Sequence, residues 1–382
     1  MAATRPVALD RQLQVGPALL RLAVRGGPGA PDLLRAELDR LGGPFTVLAG
    51  PDVPASALRP LLPGAPVVRT AGAASLAEVQ RLAERLAAAG FRPGGVLVAV
   101  GDGLVGESAG VLAALLHGGS RLVHVPTTLG ALCGPALSLR HAVGDGAFGV
   151  WHTPELVLAD LDAVARADVA SGLAEVARHV LAVCPAGYRE VAALLRPEPR
   201  YAPRELAALV ALCADARAAV VAYDPQERGP GLALGYGRTA GRALRRLAGP
   251  VLGEGAADGL GLLVAARAAV GLGLLDRADE HAHRDLLARA GLPLTLPAHL
   301  PVDPGAFAAA VRTGHPGTVL LAGLGRPHCR DGTLLADVDA GTLAAALDAI
   351  RPAGTVPPQP GPGRRTRRRG APALPPTARR TP

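Results

Sequence analysis

Four short, mainly apolar segments separated by helical patterns constrain the fold of this chain more than any other feature. Between the first two, residues 75–90 have the spacing of an amphipathic helix, with Ser75 as N-cap and Gly90 as stop. Strands that are apolar throughout are buried on both faces, as in parallel sheets with helical connections. The first half is therefore predicted to be α/β, with a doubly wound parallel sheet. The four segments are FTVLAG (45–50), VLVAV (96–100), RLVHVPTT (121–128) and LVLADL (156–161).

The pattern changes after about residue 165. Helical spacing then dominates, and strand signals nearly vanish apart from VLLAG at 319–323. We predict a sheet domain over 1–165, a mostly helical domain over 166–350 and a tail over 351–382. The tail is rich in Pro, Gly and Arg with few apolar side chains, so it is predicted to be disordered. The predicted helices of the second region are 169–183, 188–196, 203–220, 239–247, 256–274 and 279–290.

Charge and hydropathy exclude several classes of function. The net charge is +8, but residues 352–382 contain seven arginines and no acidic residue, so the remaining chain is nearly neutral. No basic face for nucleic acid is therefore expected. No apolar window reaches the length of a membrane span and no secretory signal pattern is present, so a cytoplasmic protein is expected. All 40 basic residues are arginine, which excludes lysine nucleophiles and lysine general bases.

A glycine-rich loop follows the strand at 96–100. Gly101, Gly103 and Gly106 precede a helix, a context in which the backbone and the helix N-terminus bind a dinucleotide pyrophosphate. Asp102 and Glu107 bring negative charge to the same loop, where a pyrophosphate requires none. The alternative is an ordinary tight turn between a strand and a helix, and the spacing alone leaves both interpretations open.

Two arginines share a helix face in the stretch LGYGRTAGRALRR (234–246). Arg238 and Arg242 are four residues apart. Two histidines at this spacing would make a metal-binding or acid–base pair. Arginine neither binds a cation nor accepts a proton at neutral pH. The stretch looks like one turn of a catalytic helix, and the residues alone leave open what arginine does there.

Several segments resemble, in the same order, the sugar phosphate cyclases, the family of 3-dehydroquinate synthase. The resemblance covers roughly residues 40–350 and is nearest to the 2-deoxy-scyllo-inosose synthases of aminocyclitol (aminoglycoside-type) biosynthesis. It implies a Rossmann-like N-terminal domain, a helical C-terminal domain, NAD with zinc or cobalt in the cleft between them, and a homodimer. The segments are GESAGVLAALLHGGSRLVHVPTTLGAL (106–132), PELVLADLD (154–162), SGLAEV (171–176), YGRTAGRAL (236–244) and EHAHRDLLARAGLPL (280–294).

The resemblance also implies an NAD site and identifies where this chain departs from the family. The middle glycine of the family loop is Asp102 here. A Gly-Lys-Asn segment of the family is missing between about 144 and 148. Polar family residues are replaced at Gly50, Ala74, Gly134 and Gly235. The implied cofactor-binding residues are Gly101, Gly103, Gly106, Glu107, Thr127 and Thr128.

The metal and catalytic positions implied by the resemblance are altered too. The metal-binding glutamate is Glu175, the first histidine ligand is replaced by Arg238, and the second aligns with Glu254. The catalytic lysine falls on Arg140, and a histidine for proton and phosphate chemistry falls on Arg242. Our hypothesis is that the Arg238 guanidinium occupies the metal position and pairs with Glu175 and Glu254 as a structural salt bridge.

Three functions are compatible with this pattern. We favour an impaired or non-catalytic relative that acts as a partner subunit of a related cyclase, because the metal and proton-transfer residues are replaced. The alternative is an active cyclase that converts glucose 6-phosphate to 2-deoxy-scyllo-inosose with elimination of phosphate. The third is a cleft that binds an anionic sugar phosphate without turnover. The arginines expected in that cleft are Arg140, Arg217, Arg238 and Arg242.

Overall fold

The computed structural model of the chain describes residues 6–15, 18–144, 146–167, 169–198, 200–313 and 317–352. The tail predicted at 351–382 lies outside these residues, except for Arg351 and Pro352. Its predicted disorder therefore stays a prediction. Within the described ranges, no helix is both long enough and apolar enough to cross a membrane.

Nine strands lie in the described residues of the first half of the chain. They are β1 (Val7–Val15), β2 (Ala18–Gly26), β3 (Phe45–Ala49), β4 (Val67–Arg69), β5 (Val96–Gly101), β6 (Arg121–Pro126), β7 (Arg140–Val143), β8 (Phe148–Trp151) and β9 (Leu156–Asp160). Seven of them form one sheet in the order β1-β2-β9-β6-β5-β3-β4. Strands β1 and β2 pair antiparallel, and all other neighbours in this sheet pair parallel. The remaining two, β7 and β8, form an antiparallel hairpin.

The predicted fold class is confirmed, since the four apolar segments become the parallel strands β3, β5, β6 and β9. The sheet differs from the predicted parallel sheet at one edge, where β1 and β2 pair antiparallel. Neither β1 nor β2 is predicted from the sequence, and their connection is too short for a crossover, so they must pair antiparallel. Along β1, buried and exposed side chains largely alternate, as expected for a strand with only one covered face.

Helices cover both faces of the sheet. On one face, side chains of α1 and α2 pack with Val47 and Val98; on the other, side chains of α3 and α4 pack with Leu48 and Leu97. Adjacent strand residues point to opposite faces, so these two clusters make the sheet doubly wound. As predicted, Ser75 caps α3, with its hydroxyl accepting the N–H of Glu78 at 3.2 Å. The helices are α1 (Ala30–Leu41), α2 (Ala55–Leu61), α3 (Leu76–Ala88), α4 (Gly103–Leu115), α5 (Leu129–Cys133) and α6 (Leu161–Arg166).

The second half is mostly helical, as predicted. Its helices are α7 (Ala170–Ala182), α8 (Tyr188–Leu194), α9 (Pro203–Val221), α10 (Arg238–Ala248), α11 (Glu254–Gly271), α12 (Arg277–Arg289), α13 (Pro304–Arg312) and α14 (Ala340–Asp348). Four short strands are added: β10 (Thr318–Val319), β11 (Leu321–Gly323), β12 (Arg326–Pro327) and β13 (Leu335–Ala336). The largest core cluster joins side chains of β1, β2 and α5 to those of α7, α9 and α11. Because this core crosses residue 165, the domain boundary at that position stays a prediction.

Close packing of α4 on β7 leads to a first prediction. A Cβ added at Gly110 would overlap the buried imidazole ring of His141, whereas one added at Gly106 would lie 3.5 Å from His124, an ordinary contact. We expect Gly110→Ala to lower the free energy of unfolding by about 1 to 3 kcal/mol, because the core must expand. Gly106→Ala, on the same helix, is the control and should not destabilise. Urea unfolding measures both, and equal stability of the two variants would contradict the packing described.

Candidate functional site

A cleft of about 720 Å³ lies where the parallel strands β5 and β6 end and the helices α4 and α5 begin. This is the edge of an α/β sheet at which ligands bind. Helices α7, α10 and α11 form its other wall. The lining residues are Ala74, Gly103, Leu104, Glu107, Gly130, Ala131, Pro135, Ala142, Val143, Gly146, Ser171, Glu175, Arg238, Arg242, Arg245, Arg246, Gly249, Pro250, Leu252, Gly253, Glu254 and Asp258.

Glu175 lies at the buried end of the cleft, on α7. Its Oε1 accepts hydrogen bonds from Nη1 of Arg178 and, at 3.0 Å, from Nη2 of Arg238. Burial alone would raise the pKa of Glu175, but the guanidinium groups of Arg178 and Arg238 hold it well below its usual range. The carboxylate is therefore ionised, with Oε1 bonded to two arginines and Oε2 buried without a hydrogen-bond partner among the described residues. This ion pair between Arg238 and Glu175 is the one that our hypothesis required.

Arg178 completes the cluster, although it is not singled out from the sequence. Its side chain is 0% exposed, and its Nε donates to the carbonyl oxygen of Tyr236 at 2.8 Å. Its Nη2 lies 3.4 Å from Oδ1 of Asp258, an ion pair without hydrogen-bond geometry. The sequence offers one signal for Arg178, which follows Glu175 by three residues and so shares its helix face. Charged pairs at this spacing more often lie on a solvated surface.

Arginines line one face of α10 from the buried end of the cleft to its mouth. The helix begins after Gly237, whose φ of 73° favours glycine and whose added Cβ would lie 2.8 Å from the backbone nitrogen of Leu262. At the mouth, Arg245 donates to Oε1 of Glu254 at 3.1 Å and Arg246 donates to a backbone carbonyl at 2.8 Å. The positive charges at the two ends of this stripe are thus already engaged by protein groups.

Arg242 lies in the middle of the stripe. Among the described residues, no carboxylate or carbonyl oxygen accepts a hydrogen bond from its guanidinium, which packs against Gly146 at the tip of the β7–β8 hairpin. Burial, and then the charge of Arg238, lower the pKa of Arg242 to about 10. The group therefore stays protonated at neutral pH and presents a positive charge to the cleft.

Glu107, predicted to bind the cofactor, faces the arginines across the cleft. Its Oε2 accepts the backbone N–H of Ala142 on β7 at 2.5 Å. Burial raises the pKa of Glu107, and the N–H of Ala142 and the charges of Arg238 and Arg242 offset that rise only in part. Its side chain thus anchors the hairpin to α4 and adds an acidic group to the cleft.

Three further predicted residues are not placed as expected. Arg140 donates to the carbonyl oxygen of Gly146 at 2.9 Å within its own hairpin and is not among the lining residues. Arg217 is buried behind the cleft wall, where it donates to Glu227 at 3.2 Å. The Glu254 side chain is 54% exposed and pairs with Arg245, not with Arg238 as our hypothesis had it. Arg238 and Arg245 lie on the same helix and compete for Glu254. Arg245 lies nearer to the mouth of the cleft, where it pairs with Glu254.

The glycine loop and the threonines have structural explanations. Asp102 caps α4, since its Oδ1 accepts the N–H of Val105 at 3.1 Å. A Cβ on Gly101 would lie 2.6 Å from the Val105 side chain, so packing alone requires glycine there. Thr128 caps α5 through the N–H of Ala131 at 3.1 Å, and the N–H of Thr127 donates to the carbonyl oxygen of Gly101 at 2.9 Å. Of the predicted loop glycines, Gly103 lines the cleft.

Two family models match the chain. Residues 67–171 match the model of the 3-dehydroquinate synthase N-terminal region, and residues 172–313 match that of the C-terminal region. A 2-deoxy-scyllo-inosose synthase of Streptomyces lividus is 38% identical over 290 residues, which cover 71% of this chain and 75% of the relative. The chain belongs to the 3-dehydroquinate synthase family. The resemblance stated from the sequence is thereby confirmed.

Other members of the family agree with this assignment. A 2-deoxy-scyllo-inosose synthase of Micromonospora echinospora is 34% identical over 313 residues, covering 77% of this chain and 78% of the relative. A crystal structure of 2-deoxy-scyllo-inosose synthase complexed with carbaglucose-6-phosphate, NAD⁺ and Co²⁺ superposes with a TM-score of 0.81 at 26% identity, over 90% of this chain and 100% of that chain. The named relatives are sugar phosphate cyclases, so the chain is a sugar phosphate cyclase homologue.

The residues of this family member do not fit the divalent cation of its relatives. Glu175 is bonded to two guanidinium groups, and a guanidinium has no lone pair for a metal. In the part of the chain that the structure describes, no three His, Cys, Asp or Glu side chains are grouped as metal ligands. Glu254, the other predicted ligand, is engaged by Arg245 near the mouth of the cleft.

The loop does not fit the pyrophosphate of NAD either. The Asp102 carboxylate occupies the N-terminus of α4, where it opposes a second negative charge. At the end of β3, where a Rossmann-like sheet holds adenosine, Arg69 donates to the carbonyl oxygens of Gly50, at 3.0 Å, and of Val53. Of the cofactor residues predicted from the resemblance, Glu107, Thr127 and Thr128 are hydrogen-bonded within the protein, while Gly103 lines the cleft.

Proposed function

We propose that this family member binds a phosphate ester in its arginine-lined cleft and does not catalyse the metal- and NAD-dependent cyclisation. The observation that carries the proposal is the pairing of Glu175 with Arg178 and Arg238. A metal supplies a Lewis acid worth several kcal/mol of transition-state stabilisation. A guanidinium at that position supplies charge but no coordination, so a hydride or elimination step loses this contribution.

Proton transfer is impaired for a separate reason. The family histidine for proton and phosphate chemistry is replaced by Arg242, whose pKa of about 10 keeps it protonated at neutral pH. A general base must release and accept a proton near the operating pH. Arg242 can therefore hold an anion but cannot shuttle a proton. Loss of both metal and proton chemistry supports binding without turnover.

The cleft suits an anionic ligand of sugar phosphate size. Its volume is about 720 Å³, and Arg242, which lines it, has no carboxylate or carbonyl oxygen among the described residues that accepts its hydrogen bonds. Guanidinium–phosphate hydrogen bonds are among the strongest in proteins because both partners are charged. The related enzyme complexed with carbaglucose-6-phosphate supports a phosphate ester as the ligand class. The predicted homodimer or partner-subunit role, and a place in aminocyclitol biosynthesis, stay predictions.

Turnover and binding are tested separately. With glucose 6-phosphate, NAD and Co²⁺ or Zn²⁺, we expect no phosphate release above background, while a related active synthase assayed beside it releases phosphate. Release by this chain would instead support the alternative, an active cyclase.

By calorimetry, we expect glucose 6-phosphate but not glucose to bind. Arg242→Gln should weaken that affinity about ten- to hundredfold, and the exposed Arg277→Gln on α12 serves as control. Equal affinity of the two variants would contradict the proposal.

A further inference from the structure

We propose that the guanidinium groups of Arg178 and Arg238 replace a divalent cation as the link that holds α7, α10 and α11 together. This inference concerns what stabilises the helical half and does not depend on ligand binding in the cleft. The donor set of this chain, with two guanidinium groups on Glu175, does not suit the Co²⁺ of the related synthase.

The cluster joins three helices that are distant in sequence. Glu175 and Arg178 come from α7, Arg238 from the first turn of α10 and Asp258 from the second turn of α11. The carboxylate of Glu175 accepts from both arginines, and Arg178 also reaches Asp258 and the carbonyl oxygen of Tyr236. Each of the three helices is thus tied to another by at least one charged contact.

The charges of the cluster balance. Two guanidinium groups carry the same two positive charges as one divalent cation, and they face the two carboxylates of Glu175 and Asp258. Without a counter-charge, a buried Glu175 would be strongly destabilising. The guanidinium groups of Arg178 and Arg238 belong to the chain, so they neutralise Glu175 at every concentration of free metal. A protein stabilised in this way gains nothing when metal is added and loses nothing when metal is removed.

Metal dependence and stability test this inference. The full chain, purified without chelators, is analysed for bound metals and then heated with and without EDTA or added Co²⁺. We expect no stoichiometric metal and a Tm that changes by less than about 1 °C in either case. One zinc or cobalt bound per chain, or a Tm lowered by EDTA, would overturn the inference.

A pair of variants on α10 tests the structural role. Arg238→Met breaks the buried pair with Glu175, whereas Arg245→Met breaks the exposed pair with Glu254. We expect Arg238→Met to lower the Tm by about 6 to 10 °C and Arg245→Met by less than about 2 °C. Equal shifts would overturn the structural role. If Arg238→Met does not fold, the metal content and EDTA response of the unmodified chain still decide. Failure of glucose 6-phosphate binding would leave these results untouched.

Discussion

Arg178→Met is expected to lower the free energy of unfolding by about 3 to 5 kcal/mol, because it removes one partner of a buried ion cluster. The Arg178 side chain is 0% exposed and contacts Glu175, Asp258 and the carbonyl oxygen of Tyr236. Methionine fills similar space but donates no hydrogen bond. The carboxylate of Glu175 would keep only its hydrogen bond from Arg238, and the Tyr236 carbonyl oxygen would lose the hydrogen bond from Arg178.

Urea unfolding compares Arg178→Met with Arg189→Met, which removes an exposed arginine from the neighbouring helix α8. The control is expected to change the free energy of unfolding by less than about 0.5 kcal/mol. Adding Glu175→Gln to Arg178→Met should cost less than the sum of the two single changes, because the buried charge is removed with its partner. Strict additivity would show that the two side chains are not energetically coupled.

Acidification is expected to lower the free energy of unfolding by about 3 kcal/mol for each of two buried histidines. Burial lowers the pKa of His141 and His283 to about 4, from the ordinary value of 6.5. Between these values the unfolded chain binds protons that the folded protein does not. The stability is therefore complete above pH 6.5 and falls as the pH falls towards 4.

The contacts of both histidines favour the neutral ring. Nδ1–H of His283 donates to the carbonyl oxygen of Asp279 at 2.8 Å, so its Nε2 accepts from the Tyr236 hydroxyl at 2.9 Å. Nε2–H of His141 donates to the carbonyl oxygen of His152 at 3.0 Å, and its Nδ1 has no partner among the described residues. A second proton on either ring would be buried, and no carboxylate of the described residues forms an ion pair with either histidine.

Urea unfolding at several pH values between 7 and 4.5 measures this dependence. His283→Gln should be less stable at pH 7 but should show a flatter pH dependence, since one titrating group is gone. His281→Gln, which changes an exposed histidine on the same helix α12, is the control and should keep the slope of the unmodified chain. Parallel pH profiles for all three proteins would contradict the assignment to His283.

Local patterns predicted much of the fold. The apolar segments became β3, β5, β6 and β9, and the six helical patterns of the second half became α7 to α12. Both signals depend on periodicity within one element, which needs no knowledge of its neighbours. The β1–β2 hairpin was missed because LDRQLQV (9–15) in β1 mixes polar and apolar residues. This mixture is typical of a strand only when one face is covered, and here α9 covers that face.

The sequence by itself determined the fold class, the family and the presence of two arginines four residues apart at positions 238 and 242, because these follow from residue order alone. Only the tertiary structure decided what the arginines do. It paired Arg238 with Glu175 across 63 residues of sequence, buried Arg178 beneath them and turned Arg140 back onto its own hairpin. The physical reason is competition: each guanidinium binds the acceptor nearest in space, and distances between helices are set by packing of the core, not by spacing along the chain.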